Sequence, residues 1–144
     1  DHNSRVYGDH LVPIHRYHIP GLILGGPVAP RTVPGITSQI DLLPTLLSLL
    51  GVDSRHPAIG RDLTLPRWRD GAGRAMMQFN GLQAFIDDDH VVVLMPGQDP
   101  RFFRFDPRAP GLSPAPPDAT LARRALAYAH WGPLVIRQRA YRLP

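Results

Sequence analysis

Proline supplies 17 of the 144 residues and glycine 13. Proline fixes φ and carries no backbone N–H, so it ends helices and is excluded from the interior of a sheet. Together the two types make up a fifth of the chain and force many turns and loops between short regular elements. Residues 27–37 hold Pro27, Pro30 and Pro34 and read as a loop. Residues 107–117 hold Pro107, Pro110, Pro114, Pro116 and Pro117 and read as an extended linker.

The elements fall between these breaks. Residues 19–24 are uncharged and include Ile19, Leu22, Ile23 and Leu24, the pattern of a strand buried on both faces. A helix is expected over 41–50. Ser38 with Asp41 three residues later resembles a capping box. With Asp41 near the N-cap, Pro44 falls in the first turn, where it is tolerated. Leucines at 42, 43, 46, 47, 49 and 50 leave little polar face, so this helix is expected to be mostly buried, with Gly51 as its C-cap.

An antiparallel meander comes next, with strands over 74–79, 82–86, 90–95 and 101–106. Asn80-Gly81 is a strong hairpin turn signal, and Asp87 to Asp89 form the next turn. Phe102, Phe103 and Phe105 read as core residues. Asp118 or Thr120 caps a last helix running to about Trp131, with Leu121, Ala125, Leu126 and Ala129 as its apolar stripe. Gly132-Pro133 is expected to interrupt it.

Cysteine is absent, which excludes a disulfide, a thiolate nucleophile and a thiolate-ligated metal. No apolar run approaches the 18 or so residues of a membrane span. All 16 basic residues are Arg and all 12 acidic ones Asp, for a net charge of +4. The arginines are scattered, as at Arg67/Arg69/Arg74, Arg101/Arg104/Arg108 and Arg137/Arg139/Arg142. Nucleic-acid binders concentrate charge on one face and interleave aromatics, so no nucleic-acid partner is expected. Anionic lipid or an anionic substrate suits any real basic patch better.

Asp1 and His2 open the chain as a carboxylate–imidazole pair, a sound donor set for a borderline divalent ion. Alone, such a dipeptide is an ordinary polar loop start. Its weight comes from three blocks placed after it in a set order: the apolar run 19–24, then Asp41, Pro44, Thr45 and Gly51, then Gly60-Arg61-Asp62-Leu63. These blocks, over about residues 1–65, resemble the C-terminal part of the alkaline-phosphatase/sulfatase superfamily, closest to its phosphoglycerol transferases related to lipoteichoic acid synthases.

The resemblance implies an α/β fold: the C-terminal portion of an alkaline-phosphatase-like sheet with flanking helices, plus a small antiparallel meander and a C-terminal helix. Residues 1–66 would complete the catalytic domain, 67–108 form the small sheet, and 109–144 hold the linker and helix. By the same resemblance Asp1 and His2 ligate one divalent metal, Mn or Zn, with Mg or Ca as alternatives. Asp41, Pro44 and Thr45 match a structural motif. The nucleophile and the remaining ligands would lie in an upstream half, so this chain alone is expected to be inactive.

Arg5 is a candidate for a phosphate oxygen, because a guanidinium matches that geometry. His15, near the expected strand, is a candidate for an anionic substrate. His10 and His18 are similar but read first as loop histidines, and His56 and His90 as structural. Asp87 to Asp89 lack the ligand pattern of a calcium loop. Three functions remain open: a metal-dependent phosphoglycerol transferase acting on an anionic phospholipid head group, a sulfatase acting on a sulfate ester, and a noncatalytic module. The resemblance places the protein at the periplasmic or extracytoplasmic face of a bacterial inner membrane.

Overall fold

The structure, a computed structural model, describes residues 6, 11–25, 29–65, 73–109 and 111–140. Its centre is a five-stranded antiparallel sheet in which every strand pairs with its neighbour in sequence. The strands are β1 (Arg74–Phe79), β2 (Leu82–Asp87), β3 (His90–Leu94), β4 (Arg101–Phe105) and β5 (Leu112–Pro114). Asn80 and Gly81 close the first hairpin with φ of 48° and 78°. Positive φ at both central positions matches the right-handed strand twist, and the register Phe79↔Leu82 is set by that turn.

The meander expected from sequence is present, with one addition. β5 lies inside the proline-rich stretch read as a linker and pairs with β4 through Phe105↔Leu112 and Phe103↔Pro114. It is the last strand of the sheet, where the missing N–H of Pro114 costs least.

Alternation along the strands makes two buried faces. On one, Met77, Ala84, Ile86, Val91, Val93 and Phe103 pack with Val12 and with Ile14, the first residue of a 3-10 turn over Ile14–Tyr17. On the other, Phe85 and Val92 pack against Leu121 and Ala125 of the helix α2 (Ala119–Gln138). β2 and β3 are covered on both sides, so Val91, Val92 and Val93 are all fully buried. Each such side chain contributes on the order of 1.5–3 kcal/mol of transfer free energy. Phe103 is a core residue as expected, whereas Phe102 and Phe105 are only partly buried, on opposite faces.

Asp118 caps α2 by accepting the N–H groups of Thr120 at 2.8 Å and Leu121 at 3.0 Å. The helix does not stop at Gly132-Pro133 but runs on to Gln138. Pro133 is exposed, and the turn on its N-terminal side is anchored where Trp131 Nε1 donates to the Pro57 carbonyl at 2.8 Å.

Two further expectations are corrected. The first concerns residues 19–24. They form no strand, and Leu22 and Leu24 stand 79% and 83% exposed. No strand among the described residues lies beside them. The second concerns the helix α1 (Leu42–Leu49), which is present after a 3-10 turn over Gln39–Asp41 but is not mostly buried. Pro44 and Thr45 face inward, while Leu42, Leu43 and Leu46 face out.

Candidate functional site

The sheet meets the α1 region at one buried ionic junction. Asp41, at the start of α1, is fully buried. Its carboxylate accepts the Ser38 N–H at 2.9 Å and the Arg61 N–H at 2.7 Å. Arg61 Nη2 adds a charged bond at 3.1 Å, and Arg74 Nη2 lies 3.3 Å from the other oxygen. Burial would raise the Asp41 pKa. The Arg61 side-chain bond, the two N–H donors and the Arg74 charge outweigh it and hold the carboxyl below its ordinary value.

Each arginine also binds neutral acceptors. Arg61 Nη2 donates to the Ile36 carbonyl at 3.0 Å. Arg74 Nη2 donates to the Ile59 carbonyl at 2.9 Å, and its Nε donates to the Tyr128 hydroxyl on α2. The Arg74 guanidinium also sits 4.7 Å from the Tyr128 ring centroid, a cation–π geometry. One arginine thus ties β1, the loop before it, α1 and α2 together.

The motif residues serve the same junction. Thr45 Oγ1 donates to the Asp41 carbonyl at 2.6 Å and accepts the Leu63 N–H at 3.1 Å. Asp62 Oδ1 accepts from the Thr64 N–H at 2.8 Å and from its hydroxyl at 2.6 Å. Gly60 passes so close to Ile40 that a Cβ would overlap its carbonyl, and Gly73 stands in the same relation to Ile36. The block Asp41-Pro44-Thr45 and the block Gly60-Arg61-Asp62 are therefore one folded unit, in which the backbone and side chain of Arg61 both engage Asp41. Asp41, read from the sequence as a helix-start acceptor, does that and also pairs with two cations, the buried Arg74 and the largely buried Arg61.

Of the site residues proposed from sequence, Asp1, His2 and Arg5 lie outside the described residues. His15 is described and exposed. Its Nε2 lies 3.0 Å from the Ala109 carbonyl and its ring 4.9 Å from that of Phe105, so it braces the turn after β4. His18 and His56 are also exposed. Among the described residues no group of three or more His, Cys, Asp or Glu side chains could hold a metal ion. Arg74 and Tyr128 were missed as junction residues. Arg74 reads as an ordinary strand start, and nothing local marks a partner 54 positions away.

Fold and junction together define a mixed α/β unit, a five-stranded antiparallel sheet with a C-terminal helix and a motif region closed on Asp41. The chain is similar to a crystallised protein in the alkaline phosphatase superfamily from Vibrio parahaemolyticus, with a TM-score of 0.86 and 37% sequence identity. The match covers 99% of this chain and 35% of that one, so the chain spans about a third of its neighbour's length. No family model matches the chain.

Proposed function

We propose that this chain is the C-terminal portion of a metal-dependent phosphoryl-group transferase of the phosphoglycerol-transferase kind, acting on an anionic phospholipid head group. The observation that carries the reading is the closure of the motif blocks on Asp41, with Arg61 bound to it through backbone and side chain. The similarity to the Vibrio superfamily protein supports the same reading.

On this reading Asp1 and His2 are two ligands of one divalent ion, manganese or zinc by their donor types. The ion would lower the pKa of a hydroxyl nucleophile and stabilise charge on the transferring group. Nucleophile and further ligands would come from the rest of the enzyme, so this chain alone is inactive. Arg5 would bind a phosphate oxygen and His15 would lie near the substrate's anionic group. The protein would work at the extracytoplasmic face of a bacterial inner membrane. No helix among the described residues is long and apolar enough to cross it.

A sulfatase reading is the alternative, favoured by the Gly60-Arg61-Asp62-Leu63 segment. Asn3 weighs against it, because sulfatases commonly carry glycine after the Asp-His pair. Metal analysis of the full-length protein tests the site: Asp1→Ala with His2→Ala should abolish both metal and turnover, and retention of both would overturn it. Turnover of a glycerophospholipid against an aryl sulfate separates the two chemistries.

A further inference from the structure

The net positive charge of this chain sits at one end. Residues 1–118 hold all 12 aspartates against 11 of the 16 arginines, and residues 119–144 hold the other five arginines and no acid. Two of the five fall in line on α2. Arg123, His130 and Arg137 recur every seven residues, close to two helical turns, so they run along one side of the helix. All three are exposed, on the side opposite Leu121 and Ala125, which are buried against the sheet. Leu126 and Pro133 form an apolar row on one flank of this line, and Ala127 and Leu134 form one on the other. Leu126 is 42% exposed and belongs to neither buried cluster. Arg124 pairs with Asp87, whereas Arg123 donates to the Thr120 hydroxyl at 3.2 Å, and neither Arg123 nor Arg137 has an ion pair among the described residues. Asp118, the acid nearest in sequence, is engaged by the N–H groups that it caps.

We propose that this outer side of α2 is an adsorption surface for a bilayer that exposes anionic lipid, with Arg123 and Arg137 at the head-group phosphates and Leu126, Pro133 and Leu134 in shallow apolar contact. Charge selects the occupant. A second copy packed side on side about a two-fold axis would set Arg123 of one chain against Arg137 of the other, and like charges so placed repel. A protein partner is held by buried aromatic or arginine anchors at the centre of roughly 800 Å² a side, and this side offers no aromatic and two large apolar residues. A bilayer requires neither a pocket nor a matching shape. It requires cations held along a plane with some apolar contact between them. α2 is a 20-residue helix, so the line from Arg123 to Arg137 spans about 21 Å. The guanidinium groups reach phosphate while their stems lie along the apolar rows.

The inference stands on α2 and not on the transferase reading. Co-sedimentation of the 144-residue chain with vesicles tests it, using equal parts phosphatidylglycerol and phosphatidylcholine beside phosphatidylcholine alone. Binding to the mixed vesicles should be at least about tenfold tighter and should be largely lost in about 0.5 M salt. Arg123→Gln with Arg137→Gln should weaken it roughly tenfold or more. Arg101→Gln with Arg108→Gln removes the same charge from exposed positions off α2 and should change it about twofold or less. Leu126→Gln should weaken it about threefold. A second measurement needs no variant: the mixed vesicles should slow amide exchange over residues 126–137 at least about threefold, and soluble glycerol phosphate should not. Equal binding to both kinds of vesicle would overturn the inference, as would equal losses in the two double variants or an unchanged Leu126→Gln. So would slowing by glycerol phosphate alone, or a chain that self-associates and protects the same amides without lipid. Metal content and turnover play no part in these readouts, so a failure here is distinct from a failure of the proposed function.

Discussion

Arg74 and Asp41 form an ion pair at 3.3 Å in which the arginine side chain is 5% exposed and the carboxylate not at all. The pair joins the first strand of the sheet to the start of α1. It also leaves two guanidinium groups, the buried one of Arg74 and the largely buried one of Arg61, facing one carboxylate. Removing the anion therefore costs more than removing either cation, because two desolvated charges lose their counter-ion at once.

Asp41→Ala should destabilise the isolated chain by roughly 3–5 kcal/mol, the range for breaking a buried pair from one side. Urea unfolding followed by circular dichroism measures it. A loss below about 1 kcal/mol would show that the surrounding carbonyls alone satisfy both arginines.

The junction should make stability fall in acid. The Asp41 pKa is lowered in the folded protein, so near the ordinary carboxylate value of about 3.9 the unfolded chain binds more protons. The stabilisation is complete above that value and is lost as pH falls through the folded pKa. Asp62 shifts in the same direction, burial being outweighed by bonds from Thr64 and Ser48 and by the Arg31 charge. The urea midpoint should drop between about pH 5 and pH 3, and the drop should flatten in Asp41→Asn.

Gly60→Ala and Gly73→Ala should each destabilise by about 1–3 kcal/mol or more, since the added Cβ meets a backbone carbonyl that cannot rotate away. Gly21→Ala has open space around it and should change stability by no more than about 0.5 kcal/mol. Thermal melts of the three variants check the contrast.

Tyr128→Phe keeps the ring over Arg74 and removes only the hydroxyl that accepts from Nε. The buried donor then lacks a partner, at a cost of about 1–3 kcal/mol. A neutral result in the same urea assay would mean that the ring carries the contact.

The meander was legible because its signals are local. Asn80-Gly81 sets the first turn and register, and the run Val91-Val92-Val93 reads as a strand buried on both faces. β5 was hidden by prolines that rule out an interior strand but not an edge one. The end of α2 was misjudged because Trp131, pinned to Pro57, holds the helix through a sequence that would otherwise break it. Residues 19–24 and the α1 leucines look buried in sequence and are exposed in the fold. Their composition reads as burial, and composition cannot say against what. The Asp41–Arg61 half of the junction was partly legible as two motif blocks. The Arg74–Tyr128 half was not, because charge and hydroxyl meet only after the sheet and α2 have packed.

The sequential strand order has a kinetic consequence. Each of the four pairings closes only a short loop, so the sheet can zip from the Asn80-Gly81 hairpin outward at small entropic cost. The Arg74–Asp41 and Trp131–Pro57 contacts span much longer stretches and form only once a sheet exists to dock on. The meander is then the nucleus, and core substitutions in β2 and β3 should slow folding, whereas those at the junction should mainly hasten unfolding. A ribosome making this chain would release a formed sheet before α2 arrives to cover its second face.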